Sequence, residues 1–270
     1  MPVMSENRYL MEHAEEARRL DLKTDRAAVN RQALWAGLKP GMRVADIGCG
    51  SGKTTSYLFD LVQPGGTIAG LDASETRMEH ARRLYGCDGV EFICRDITRP
   101  LVDVGRFDFI WVRFLLEYHR SGASAIVKNL VSLLNPGGVL CLVDLDYNCL
   151  SHFGLSTRLE HTIDELMTTV ERDFDFDPYV GRKLYSFLYD NGLENIAVDL
   201  TAHHLIYGEL NDVDAYNWIQ KLEVAARRSG YSFDTYPGGY DEFLEEFKQF
   251  FADPRRFTYT PLIICRGTRG

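Results

Sequence analysis

The sequence predicts an α/β fold: a mostly parallel, doubly wound sheet with helices on both faces. Two observations predict it. From Arg43 onward, short runs rich in Val, Ile, Leu and Phe alternate with helical stretches, the order that parallel strands joined by crossover helices require. Gln63-Pro64-Gly65-Gly66 and Asn135-Pro136-Gly137-Gly138 then stand where a helix must stop before the next strand.

Taken in order, residues 5–37 read as two helices, the second ending near Gly37. Arg43 to Ile47 is a strand that runs into a glycine turn and a helix from about Ser51 to Val62. Thr67 to Leu71 is the second strand, and Ser74 caps a helix to about Tyr85. Val90 to Cys94 and Phe107 to Val112 follow as strands, then a helix from about Ala123 to Leu134 and a fifth strand from Val139 to Leu145. In the second half, Thr157 and Glu160 form a capping box for a helix with Leu159, Ile163, Leu166 and Val170 on one face. Tyr179 to Asp190 is another helix, and a sixth strand lies within Leu193 to Tyr207. A helical insertion carries Ala215, Trp218, Ile219, Leu222 and Ala226 on one face, with Phe243, Phe247, Phe250 and Phe251 lining a second helix. Thr258 to Cys265 closes a seven-stranded sheet.

The 270 residues are 45% hydrophobic and 26% charged, enough for a sizeable core. A formal net charge of -9 repels phosphate backbones and anionic lipid, which speaks against nucleic acid or membrane as the main partner. No apolar stretch approaches the roughly 20 residues of a membrane span. The charged N-terminus has no secretory pattern, and the six cysteines (Cys49, Cys87, Cys94, Cys141, Cys149 and Cys265) form no C-x-x-C pair. The expectation is a cytoplasmic protein with free thiols.

The stretch Val44-Ala45-Asp46-Ile47-Gly48-Cys49-Gly50-Ser51-Gly52 is a strand entering a glycine turn that opens a helix. Such a turn lets backbone approach a ligand closely, and the helix start offers N–H groups. Asp72, at the end of the second strand, is placed to accept from both hydroxyls of a ribose. A P-loop would need glycine where Ile47 stands, although Gly52-Lys53-Thr54 matches its end. A dinucleotide fingerprint would need Gly or Ala where Lys53 stands. Asp46 in front of G-x-G-x-G suits a ligand bearing an ammonium group.

With these motifs, residues 40–146 resemble the class I S-adenosylmethionine-dependent methyltransferases, a Rossmann-like family. VADIGCGSG is similar to the family's first motif, LDAS to its ribose-binding acidic motif, and CRDI to its adenine-binding segment. FDFIWVRFLLEY and LLNPGGVL resemble the fourth motif and the turn before the fifth strand. The resemblance implies S-adenosyl-L-methionine as cofactor and S-adenosyl-L-homocysteine as product. It implies that Gly48, Cys49 and Gly50 offer backbone to the methionine portion, with Asp46 near its amino group, and that Asp72 holds the ribose. Ala73 and Met78 would pack on the adenine, Asp96 and Ile97 would meet its amino group and face, and Arg113 would approach the methionine amine. Tyr9 matches an N-terminal aromatic that relatives place over the sulfonium. The implied organisation is a helical N-terminal cap (1–38), a cofactor-binding core (39–146) and a C-terminal half of the sheet (147–270), with lid insertions at about 147–177 and 208–256.

The expected activity is methyl transfer to a small-molecule acceptor, at oxygen or nitrogen, by a monomer or homodimer. A non-catalytic cofactor-binding protein of the same fold is the alternative. Relatives carry Leu-Glu-His-Leu after the fourth strand, whereas this chain has Leu116-Glu117-Tyr118-His119, so no base is inherited. Asp144, Asp146, Tyr147, His152, His203 and His204 are further candidates, and none is assigned as catalytic. Asp173, Asp175 and Asp177 read as solvated carboxylates without metal-loop spacing, so no metal is expected. The aromatic-rich segment 208–256, together with 147–177, is expected to build the acceptor pocket, with Gly230, Gly238 and Gly239 as hinges.

Overall fold

The computed structural model describes residues 24–147 and 151–270 of the chain. Tyr9, Cys149 and the first expected helix lie outside the described residues. The described chain starts with α1 (Arg26–Ala36), capped by the Asp25 side chain and closed by Gly37 in the left-handed conformation. Then come β1 (Arg43–Ile47), α2 (Lys53–Val62), β2 (Thr67–Asp72), α3 (Glu75–Tyr85), β3 (Val90–Cys94), β4 (Phe107–Arg113), α4 (Ala123–Ser132) and β5 (Leu134–Leu145). The second half adds β6 (Ser151–Phe153), α5 (Thr157–Asp173), α6 (Leu184–Asp190), β7 (Glu194–Tyr207), α7 (Asp212–Ser229), α8 (Gly239–Ala252) and β8 (Phe257–Thr268).

The strands run β3-β2-β1-β4-β5-β8-β6 with β7 on the other side of β8. β1 to β5 are mutually parallel, and β8 is antiparallel to β5, β6 and β7. The order reverses between β1 and β4, so both β1 and β4 deliver their carboxyl ends to one crevice, where doubly wound sheets bind ligands. Among the described residues the sheet has eight strands, one more than the expected seven. β8 continues past the end of β5, where Leu145 faces Leu262, and its free edge at Phe257–Tyr259 is taken up by β6.

One face buries Val29, Ala33, Leu58, Val62, Trp111 and Val143 under α1 and α2; the other buries Ile110, Ile126, Leu130, Leu142, Leu184 and Leu188 under α4 and α6. A separate core joins α5, α7 and α8, where Leu159, Ile163, Val170, Trp218, Phe243, Phe247 and Phe251 are buried against one another. Two local expectations shift. The α5 cap is Ser156, one residue before Thr157, because its hydroxyl accepts from Leu159 N at 3.1 Å. The expected helix from Tyr179 is a 3-10 turn (Val180–Lys183) followed by α6. No helix among the described residues is long and apolar enough to cross a membrane.

Candidate functional site

A cavity of about 390 Å³ opens at the carboxyl ends of β1, β2 and β4. Asp46, Gly48, Cys49, Gly50, Asp72, Ala73, Asp96, Ile97 and Arg113 all line it, although they come from the ends of four separate strands and the turns that follow them. Met78 does not line it; it is fully buried in a cluster with Cys49, Ala81 and Phe92. The reason is its place on the inner face of α3, one residue after Arg77, which does reach the cavity.

The glycine turn works differently from the N–H donor expected of it. Gly48 N and Cys49 N both donate to Leu71 O, at 2.7 and 3.0 Å, and Gly50 N donates to Asp72 Oδ2 at 3.0 Å. These donors are spent on joining β1 to β2. What the turn gives a ligand is close approach, since Gly48 has φ +72° and a Cβ there would stand 2.9 Å from Leu115 Cδ1.

Asp72 sits at the centre of this wiring. Its Oδ1 accepts from Ser74 N at 3.0 Å and from Arg77 Nε and Nη2 at 3.1 and 2.9 Å. The carboxylate therefore serves the start of α3 as well as facing the cavity, and Oδ2 keeps acceptor capacity beyond Gly50 N. Arg77 was missed in the sequence. Its signal was available: position 77 is one helical turn past the Ser74 cap and faces back toward Asp72.

Asp46 lies deeper, with Thr55 Oγ1 donating to its Oδ2 at 2.7 Å. Burial raises its pKa to about 7, against the pull of Thr55 and Arg113. Burial also brings Arg113 down to about 10, with its guanidinium over the Phe114 ring at 4.0 Å. Phe114 itself has φ +55°, a strained value for a bulky residue, and it lines the cavity. Asp96 is held by a local turn, accepting from Thr98 N at 3.0 Å and Thr98 Oγ1 at 2.6 Å.

Of the candidate proton acceptors, Tyr118 and His119 line the cavity; Asp144, Asp146, Tyr147, His152, His203 and His204 do not. Burial holds His119 below its ordinary pKa, against the pull of Asp175 and Asp96. Asp144 is buried beneath the turn that carries them, accepting from Leu116 N at 3.1 Å and from Leu145 N at 2.9 Å. Burial and the neighbouring Glu117 push its carboxyl well above the usual range. Asp146 pairs with Arg182 at 2.8 Å, and Tyr147 OH donates to Asp164 at 2.9 Å.

The acidic run 173–177 is not simply solvated. Asp177 is buried and pairs with Lys183 at 2.5 Å, its N–H donates to Glu117 O at 2.7 Å, and Asp175 accepts from Ser121 N at 2.8 Å, so both residues tie the segment to the turn after β4. No group of three or more His, Cys, Asp or Glu among the described residues could hold a metal ion. Nor do the aromatics of 208–256 line the cavity: Trp218, Phe233, Tyr236 and Phe243 pack on each other, and Tyr216 is exposed. From the two insertions, Phe174 reaches it.

Residues 44–138, the stretch that builds this cavity, match the family model described as a methyltransferase domain. That stretch is similar to methyltransferase domains. An uncharacterized methyltransferase of Synechocystis is 33% identical to it over 110 residues, covering 40% of this chain and 49% of that one. The chain thus spans about half the length of that curated relative. The domain also shares its fold with the solved phosphoethanolamine N-methyltransferase 2 of Haemonchus contortus in complex with phosphomonomethylethanolamine and S-adenosylhomocysteine. That likeness has a TM-score of 0.59 at 14% identity and covers 100% of this chain and 61% of the other. The 4+2 cyclase SpnF has the same fold at TM-score 0.53 and 17% identity, covering 91% and 82% of the two chains. This methyltransferase fold therefore hosts more than one chemistry, and function has to be argued from the site.

Proposed function

We propose that the protein binds S-adenosyl-L-methionine and transfers its methyl group to a small-molecule acceptor at oxygen or nitrogen, releasing S-adenosyl-L-homocysteine. The observation that carries this reading is the convergence of Asp46, the Gly48–Gly50 turn, Asp72 and the Asp96–Ile97 segment on one cavity. The residues fit the group. Gly48 leaves the turn bare of side chain where a Cβ would collide, Asp72 keeps an acceptor for a ribose, and the buried Asp46 offers a carboxylate to an ammonium. Ala73 and Ile97 give apolar contact for an adenine, Asp96 an acceptor for its amino group, and Arg113 backbone near the amino acid end. The bound cofactor supplies an electrophilic methyl group with its own leaving group.

The chain's part is alignment and, for an acceptor that must lose a proton, removal of that proton. His119 lines the cavity and is kept neutral by burial, so a ring nitrogen can take a proton from an acceptor O–H or N–H. Tyr118 beside it orients the acceptor. The net charge of -9 supports a small molecule over nucleic acid as partner. Residues 39–146 form the cofactor half in this reading, and the insertions at 147–177 and 208–256 shape the acceptor side. A cofactor-binding protein without methyl transfer is the second reading, favoured by the fold shared with a cyclase.

Calorimetry tests the assignment. Asp72→Ala removes ribose hydrogen bonds to an ionised carboxylate, so the affinity for S-adenosylhomocysteine should fall by about 2–4 kcal/mol. Unchanged affinity in a folded variant would remove the ribose site.

A further inference from the structure

Past the end of β5 the sheet continues as β7, β8 and β6. Strand side chains alternate between faces, so Phe257 and Tyr259 of β8 share one face with their register partners, Tyr207 and Leu205 of β7 and Phe153 of β6. Val198 and Leu200, opposite Cys265 and Ile263, carry the same face back along β7, because the bulge between Ala202 and His204 shifts the alternation by one residue. The opposite face is closed: Thr258 and Thr260 are buried, and Ile206 packs into the core of α5, α7 and α8. On the first face, α6 reaches only as far as Ile263 and Cys265, which join the core of Leu184 and Leu188. Past that reach Phe153 is 72% exposed, Leu200 65% and Tyr207 64%, and Val198, Leu205, Phe257 and Tyr259 are exposed as well.

These side chains form one continuous patch. Tyr207 stacks on Phe257 with ring centroids 6.4 Å apart, and Phe257 lies 6.1 Å from Tyr259. Ser151, Ala202 and Pro261 occupy the positions between them, so no Asp, Glu, Lys or Arg stands on this face of the three strands. That is unusual in a chain with 26% charged residues and a net charge of -9. At roughly 200 Å² for each large side chain when fully open, the patch leaves roughly 800 Å² of apolar surface in water. The largest patch on a typical monomer is about 300–600 Å². One side of a standard stable interface is about 800 Å².

We infer that this face is the interface between two copies of the chain, packed sheet on sheet about a two-fold axis. A second copy brings the same uncharged surface, so two chains that repel elsewhere meet here without opposing like charges. The face is also complementary to itself. It is aromatic at the Phe153–Phe257–Tyr207 end and aliphatic at the Val198–Leu200 end, and a two-fold axis sets the rings of one copy against the smaller side chains of the other. A membrane surface fits less well, since the face has no basic residue to draw it to anionic lipid. The interface stands apart from the methyl-transfer reading, because none of its residues lines the cavity. Sedimentation equilibrium of the full chain tests it. The wild type should be a dimer at micromolar concentration, and Leu200→Glu and Tyr207→Lys should each weaken association at least tenfold while keeping the wild-type far-UV circular dichroism. Should either variant fail to fold, hydrogen exchange of the wild type decides: residues 198–207 and 257–259 should gain protection as concentration rises. A wild-type chain that stays monomeric across that range overturns the proposal, as does a dimer that both substitutions leave intact. A monomer that dimerises only once residues 1–23 are removed overturns it and gives the face to that segment. Binding of the monomer to phosphatidylcholine vesicles, abolished by Leu200→Glu, overturns it in favour of lipid.

Discussion

The two halves of the molecule are held together by different means. Around β1, β2 and β3 the decisive contacts are local and polar: Gly48, Cys49 and Gly50 donate across to Leu71 and Asp72, and Asp72 returns bonds to Ser74 and Arg77. Under α5, α7 and α8 they are aromatic and distant in sequence, as where Phe233 packs on Phe243 with ring centroids 4.8 Å apart and Phe247 stacks on Phe251 at 5.4 Å. The first region fixes a ligand's position through short turns at strand ends. The second is a packed core of helices. One chain thus combines a polar, turn-built region at the cavity with a separate aromatic core.

The largest expected effect breaks that comparison if the two regions are not separable. Phe247 is 1% exposed in the helical core, so Phe247→Ala should cost about 3–5 kcal/mol of unfolding free energy in denaturant titration. The affinity of the folded variant for S-adenosylhomocysteine should stay within about twofold of wild type, as expected for sites with no shared partners. A parallel collapse of affinity would mean that the cores act as one.

Gly52→Ala probes the other region. Position 52 has φ +88°, and a Cβ there would stand 2.7 Å from Ala81 Cβ and 2.9 Å from Phe92 Cζ. Strained backbone plus overpacking between α2 and α3 should cost about 1–3 kcal/mol. Stability within 0.5 kcal/mol of wild type, by the same titration, would show that the turn tolerates a side chain and that its tightness is not needed.

A third effect comes from Asp46. Its folded pKa of about 7 lies above the ordinary carboxylate range, so its protonated form stabilises the free protein at low pH and that contribution is lost as pH rises through 7. Binding an ammonium has the opposite sign, because it needs the carboxylate. Affinity for S-adenosylhomocysteine should therefore fall as pH drops below 7, approaching tenfold per unit, and the slope should be absent in Asp46→Asn. Equal slopes in the two proteins would detach Asp46 from the ligand's amine.

The polar half was the more legible in sequence, and for a physical reason. A turn between a strand and a helix has to satisfy backbone geometry within a few residues, so Gly48-Cys49-Gly50 and Asp72 announce themselves by type and spacing. Even there, spacing does not say that Gly50 N spends its hydrogen on Asp72. Arg77 stayed hidden behind Met78, its neighbour on α3, because a long arginine reads as a solvated helix residue until its partner is known. In the second half, the periodicity of Trp218, Phe243 and Phe247 placed the helices but not what their faces cover. An apolar stripe looks the same against a ligand as against another helix. The short β6 was invisible because three residues carry no period at all.

The smallest expected effect is none: with Ile47 at the first glycine position of a P-loop, magnesium-ATP should show no saturable micromolar binding that depends on Lys53. The most direct test of the central claim is calorimetric titration of the wild-type chain with S-adenosylhomocysteine at pH 8, where Asp46 is ionised. The account predicts one saturable site per chain, lost on Asp72→Ala. Absence of binding by the folded wild-type protein, or binding that survives Asp72→Ala undiminished, would contradict it.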